Sequence, residues 1–326
     1  MDGRNSMKSL CFAALLSAAL LFRTNGASAG DAAYPPPRLP NGRVDMQGLW
    51  AHLNSTPLER PRDITTHLID AQQAGLIEAH IADSFDAGGE PTEFYDERSI
   101  ELIDGKRHSS LITDPEDGRV PWNDGSKDLR QAVFAALFSA YDGPEARPLE
   151  ERCLIGPGGP PIAPYPVNNL HQIVQTQNAI VIASEALHEA RIVRLNAKHA
   201  PESVVSWLGD SIGWWDGDTL VIETRHFSPA SRDRFLPHLL YFVSPTTMLI
   251  ERLSRTSEDE LRYVFTISDP AFYTRSWTGE TRLRRSSDRS FEVACHEGNY
   301  ALRFILEGAR AQEARGKPVA GGGELR

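Results

Sequence analysis

From residue 172 onward the chain alternates apolar and polar positions with a period of two, and turn chemistry interrupts the alternation every few residues. Leu261, Tyr263, Phe265 and Ile267 alternate with Arg262, Val264, Thr266 and Ser268, which predicts a half-buried strand over 261–268. Trp277, Thr281 and Leu283 alternate in the same way with Thr278, Glu280, Arg282 and Arg284 over 277–284. Further strands are expected over 48–50, 172–176, 179–185, 191–195, 248–255 and 291–295. The clearest pair is 213–224, where Trp214-Trp215 and Leu220-Val221-Ile222 flank Asp216-Gly217. That dipeptide supplies the two positive-φ positions of a type I′ hairpin turn.

Nine or ten strands joined by short turns make an antiparallel up-and-down meander. Closing such a sheet removes its exposed edges, and the short links disfavour the Greek-key crossovers of a sandwich. The expected fold is mainly β, a meander closed or nearly closed into a lipocalin-like barrel. Two further parts are expected around it. Residues 65–145 form a partly helical elaboration, with one helix from a Thr66 cap to about 84 and a second from a Ser126 cap. The second carries Leu129, Val133, Ala136, Leu137 and Ala140 at helical spacing and stops at Asp142-Gly143-Pro144. Residues 299–314 form a terminal helix with Leu302, Ile305, Leu306 and Ala309 on one face. Between them, 146–170 is a long Pro/Gly connection, of the kind that is either functional or unstructured.

The first 29 residues read as a signal peptide. Arg4 and Lys8 precede an apolar run from Leu10 to Phe22, and Ala27-Ser28-Ala29 is a small-x-small cleavage site. The run is short for a membrane span, which takes about 20 residues. Its removal takes away Arg4, Lys8, Arg23 and Asp2, leaving 31 basic and 43 acidic residues, a net charge of −12. An acidic chain argues against nucleic-acid and anionic-membrane partners. The expected organisation is a signal peptide over 1–29, a single β-rich domain over 30–315 and a loose Gly-rich tail over 316–326, exported to the periplasm or beyond. Two cysteines remain, Cys153 and Cys295; in an oxidising compartment they suggest one disulfide, the alternative being a metal-binding or catalytic thiol.

Several segments resemble a widespread group of uncharacterised secreted bacterial proteins: Thr56-Pro57-Leu58-Glu59-Arg60-Pro61, Asp114-Pro115-Glu116-Asp117-Gly118-Arg119, Glu151-Arg152-Cys153, Gln172-Ile173-Val174-Gln175-Thr176, Trp207-Leu208-Gly209-Asp210-Ser211, the 213–224 hairpin and Cys295-His296-Glu297-Gly298-Asn299-Tyr300. The resemblance spans most of the chain after the leader and implies no particular reaction. The chain departs from that pattern at Arg225-His226, where Thr-Asn is expected, and at His171, where Tyr is more usual.

Three constellations are candidates for chemistry. His296 and Glu297, at a strand-to-helix junction, have the makings of a general base and its partner; the plain alternative is capping and packing, with Tyr300 beside them. Glu185, His188 and Arg191, on a turn at the mouth of a barrel, suit a carboxylate ligand or acid–base work; the plain alternative is a solvated turn. Trp207, Asp210 and Trp215 suit a wall for an apolar or sugar-like ligand, with Asn169 on the long connection and Glu223 if it faces a cavity. No nucleophile elbow, P-loop, dinucleotide fingerprint or zinc-type Cys/His cluster is present, so no cofactor or metal is expected. The first functional expectation is a barrel that binds a small, largely apolar ligand. The second is a cofactor-free hydrolase, isomerase or lyase using His296 and Glu297 with Glu185 and His188.

Overall fold

The computed structural model describes residues 34–52, 54, 56–88, 99–156, 159–162, 169–236 and 239–316. The expected leader lies outside them, as does the tail after Gly316. In chain order the elements are β1 (Gly48–Ala51), β2 (Leu68–Ile69), α1 (Ala71–Gly88), β3 (Leu102–Ile103), β4 (Lys106–His108), β5 (Ile112–Asp114), α2 (Asp124–Ser139), β6 (Leu170–Gln175), β7 (Ala179–Ser184), β8 (Ala190–Leu195), β9 (Asp210–Asp216) and β10 (Thr219–Arg225). They continue with β11 (Asp233–Leu236), β12 (Leu239–Phe242), β13 (Met248–Arg255), β14 (Glu260–Ser268), β15 (Trp277–Arg285) and α3 (Ala301–Ala314). All of them lie in the compact unit that begins at Pro35.

Nine strands close into a barrel in the order β1-β6-β7-β8-β9-β10-β13-β14-β15, with β15 pairing back onto β1. The period-two pattern explains the wall. Inward positions carry Trp50, Ile173, Ile180, Val193, Leu220, Ile222, Leu253, Tyr263, Phe265, Trp277 and Leu283, each at most 2% exposed and all in one apolar cluster. Burying each such side chain is worth about 1.5–3 kcal/mol, so the inner wall is itself the main core. Gly279 is required by this packing. It sits opposite Phe265, and a Cβ there would lie 2.4 Å from the Phe265 ring.

One buried ion pair crosses the interior. Arg191 donates twice to Glu251, at 2.5 and 2.9 Å, and the Tyr263 hydroxyl donates to the same carboxylate at 2.7 Å. Tyr263 in turn accepts from the Ile162 amide, so the 159–162 segment reaches down into the barrel end. His171 pairs with Ser184 at 2.9 Å, and burial, with Arg191 nearby, pushes its pKa down to about 4.

The barrel is mixed rather than wholly antiparallel. β8 and β9 run parallel, because residues 196–209 carry the chain back along the wall before β9 begins. The 213–224 hairpin forms as expected, but Asp216 pairs with Thr219, so the turn is Gly217-Asp218. Only Gly217 has positive φ (61°), as in a type II′ turn with Gly first. The strand expected over 291–295 is irregular: β1 already occupies the free edge of β15, so no edge is left for a tenth stave.

The elaboration is helical where expected, with different caps. α1 starts after Asp70, whose carboxylate accepts from the Gln73 amide (2.8 Å) while the Gln73 side chain accepts from the Asp70 amide (3.2 Å), a reciprocal capping box. Thr66 precedes β2 instead. α2 is capped by Asn123, which accepts from the Ser126 amide. α3 presents Leu302, Ile305, Leu306 and Ala309 as its less exposed face. Cys153 and Cys295 form a disulfide. Among the described residues no helix is long and apolar enough to cross a membrane.

Candidate functional site

The strand registers place Ser184, Ala190, Asp210, Arg225, Met248, Ser268 and Trp277 at one rim of the barrel. The β11–β12 hairpin roofs this rim. Its Tyr241 packs edge-on against Trp277 (centroids 6.0 Å), and Phe242 exchanges hydrogen bonds with the Tyr273 hydroxyl at 3.0 and 2.6 Å. Between this hairpin, α2, the 145–156 segment and Gly159 lies a cavity of about 390 Å³. Its lining has an apolar part, including Val133, Ala136 and Leu240, and a polar part, including Glu150, Arg234 and Tyr241.

The polar part carries perturbed groups. The Glu150 carboxyl is pushed up to about 7 by burial first, then by the charges of Glu189 and Glu151, with Arg234 opposing. It has no hydrogen-bond donor among the described residues. Glu189, at the turn before β8, is likewise raised to about 7 by burial, against the Gly156 amide that donates to it at 2.6 Å and against Arg234 and Arg191. Its second oxygen is buried without a hydrogen-bond partner among the described residues. Arg234 is buried, which lowers its pKa, and donates to the Ser231 and Trp207 carbonyls. Its Nε is buried and unpaired among the described residues. Of the other arginines that line the cavity, Arg147 forks onto Glu151 (2.9 and 2.8 Å) and Arg232 pairs with Asp233 (2.6 Å); Arg152 also lines it. Two carboxyls at about 7 around one guanidinium share close to one proton at neutral pH, and can both donate and accept one.

The disulfide pins this wall. It ties Cys153 to the segment that enters α3, where the Asn299 side chain donates to the Glu151 carbonyl at 3.2 Å. Arg310 of α3 reaches the Tyr141 and Asp142 carbonyls, so the terminal helix buttresses the loop after α2.

The residues expected from sequence are dispersed over this frame. His296 and Glu297 are exposed, as is Tyr300, which stacks loosely on Phe304 (centroids 6.2 Å). Glu185 accepts from the Phe291 amide at 2.7 Å and so tethers the segment after β15. The His188 side chain lies outside the described residues. Arg191 points into the barrel to Glu251, away from Glu185. Trp207 and Asp210 are at the roofed rim, whereas Trp215 is at the opposite end of β9, with Arg43 over its ring at 5.9 Å. Five residues of strand separate Asp210 from Trp215, about 17 Å, so these groups do not make one wall. Glu223 is on the outer face, opposite Ile212, and meets His199 at 3.1 Å and Arg225 at 2.5 Å. Asn169 contributes its carbonyl to the His52 amide.

The pocket residues Glu150, Arg234 and Tyr241, and Glu189 held behind them by the Gly156 amide, were not singled out from sequence. The one signal was the 146–170 connection, whose length and Pro/Gly content mark it as functional or unstructured. Compared with protein-family models, with curated proteins and with solved structures, the chain matches none. Fold and pocket together define a nine-stranded mixed barrel with a polar cavity at one rim.

Proposed function

We propose that this is an exported barrel protein that binds a small molecule in the rim cavity, the ligand having one apolar flank and one ionisable or hydrogen-bonding end. The observation that carries the reading is a single cavity lined both by the apolar Val133, Ala136 and Leu240 and by the ionisable Glu150 and Arg234. The barrel interior supports a different role, since its inward positions are taken by buried Trp, Tyr, Phe and aliphatic side chains. A ligand there would have to displace them.

A second reading, acid–base catalysis by Glu150 with Glu189, is favoured by one specific feature: both carboxyls sit near 7, where a catalytic acid or base works best at neutral pH. In this reading Glu150 and Glu189 take the acid–base role in place of the exposed His296 and Glu297, against which no second titratable group is held among the described residues.

The test is ligand-observed NMR on the mature protein with small carboxylic acids, amines and sugars that carry an alkyl or aromatic flank. Compounds should bind the native protein and lose at least about tenfold in affinity to Ala136→Trp, which fills the cavity from α2. If nothing binds, or if binding survives Ala136→Trp, the cavity is not the site. For the catalytic reading, Glu150→Gln should lower the turnover of a hit by about 100-fold or more, well beyond any change in its affinity.

A further inference from the structure

Outside the rim cavity, three side chains from separate segments converge on the outer face of β9 and β10. They are His199 from the 196–209 crossover, Asp210 at the start of β9 and His226 just after β10; one donor atom of each lies within 4.8 Å of the others. The backbone holds them there. The Ser206 amide donates to the His226 carbonyl (3.1 Å) and the Ser228 amide to the Ser206 carbonyl (2.8 Å), folding the crossover onto the end of β10. The two imidazole rings stand 5.6 Å apart, centroid to centroid. His226 is more than nine-tenths buried, and its Nδ1 has no hydrogen-bond partner among the described residues.

His199 is held by a carboxylate on each side. Its Nδ1 faces Asp210 Oδ2 at 2.8 Å and its Nε2 faces Glu223 Oε1 at 3.1 Å. Both ring nitrogens are thus held against carboxylate oxygens, which fixes the orientation of the ring. A metal ion on Nδ1 would leave Nε2–H donating to Glu223. That is the carboxylate–histidine–metal arrangement in which an outer carboxylate fixes the ring of a ligand. Asp210 would supply the oxygen ligand, with its orientation kept by Arg194 at 2.6 Å on Oδ1 and by the Ala200 amide at 2.9 Å. His226 would supply the third ligand from a ring whose hydrogen-bonding capacity is otherwise unused.

We propose that His199, Asp210 and His226 form a binding site for a divalent transition-metal ion of the zinc, cobalt or nickel kind, with an open position for water. Two imidazoles and one carboxylate suit these ions and not calcium or magnesium, which take oxygen ligands. Ligand atoms around a tetrahedral zinc are roughly 3.4 Å apart, so pairs standing up to 4.8 Å apart need to close while the 2.8 Å His199–Asp210 pair opens. Arg194 and Arg225 neutralise Asp210 and Glu223 and weaken the field that a dication meets. The affinity expected is therefore below that of a closed structural zinc site.

The test is calorimetric titration of the mature, EDTA-treated and dialysed protein with Zn²⁺, repeated with Co²⁺ while the visible ligand-field bands of cobalt are recorded. Uptake of one equivalent is expected. His199→Gln and His226→Asn should each weaken binding by more than about 100-fold and abolish the cobalt bands, since even outer-shell changes cost 10–100-fold. Thermal melts of the metal-free variants establish that they are folded; if His199→Gln is not, His226→Asn decides. His108→Gln is the control, because His67 and His108 form the other close histidine pair, with ring centroids 4.4 Å apart. Absence of saturable uptake by the native protein, uptake unchanged in a folded His226→Asn, or loss that follows His108→Gln would each overturn the assignment.

Discussion

Replacing Glu150 by Gln should make the protein more stable at alkaline pH and leave its stability at acid pH almost untouched. The Glu150 carboxyl sits at about 7 in the folded chain against an ordinary value of 4.5. The folded state therefore holds a proton that the unfolded chain has released between those two values. Stability falls as pH rises through that window, and the cost is fully present above about 7. A difference of that size corresponds to about 3 kcal/mol at pH 8. Water in the cavity and the nearby Arg234 charge reduce it, so a gain of about 1–3 kcal/mol is expected for Glu150→Gln at pH 8, against a few tenths at pH 4. Urea unfolding followed by tryptophan fluorescence at both pH values, with the disulfide intact, measures the difference between the two gains. Any effect of the amide on packing is the same at both pH values and cancels. A gain that does not grow between pH 4 and pH 8 would mean that Glu150 is solvated like an ordinary surface carboxylate, and the acid–base reading of the cavity would fall with it.

Glu251→Gln leaves Arg191 buried without its counter-charge and should cost about 3–5 kcal/mol, read as a lower urea midpoint at unchanged slope; a loss under 1 kcal/mol would show that the pair is solvated. Changing Cys153 and Cys295 together to Ser removes a link between positions 142 apart in sequence and should cost roughly 4–5 kcal/mol in the chain-entropy account, measured by the same unfolding; no change in midpoint would contradict it.

Much of the fold is written locally in the chain. Alternation such as Leu261, Tyr263, Phe265 and Ile267 has one physical solution, a strand with one wet face, and the hairpins follow from turn residues between such runs. Where contacts are distant in sequence the local text is silent. Nothing near Gly48-Leu49-Trp50 says that this short run bridges β6 and β15, and nothing in 196–209 says that it returns the chain to make β9 parallel to β8. The disulfide was legible because only Cys153 and Cys295 follow the expected leader. The cavity was not: Glu150 and Glu189 come from irregular connections with no period, and their perturbation arises from burial that only the assembled roof creates. His296 and Glu297 looked promising as neighbours in sequence, but they lie in solvent because the segment after β15 finds no edge to join. Glu223 follows the alternation of its strand, and the alternation puts it outside.

The short first stave has a consequence for how the molecule is made. Synthesised from its amino end, the chain offers β1 before any partner exists, and that stave pairs on one side with β6 and on the other with β15, the last strand to appear. Until β15 emerges, the growing sheet is an open ribbon with two raw borders, each able to recruit a neighbouring copy. Assembly thus depends on pairings far apart in sequence, which are slow to form. A truncation anywhere before residue 285 would leave the ribbon unable to seal.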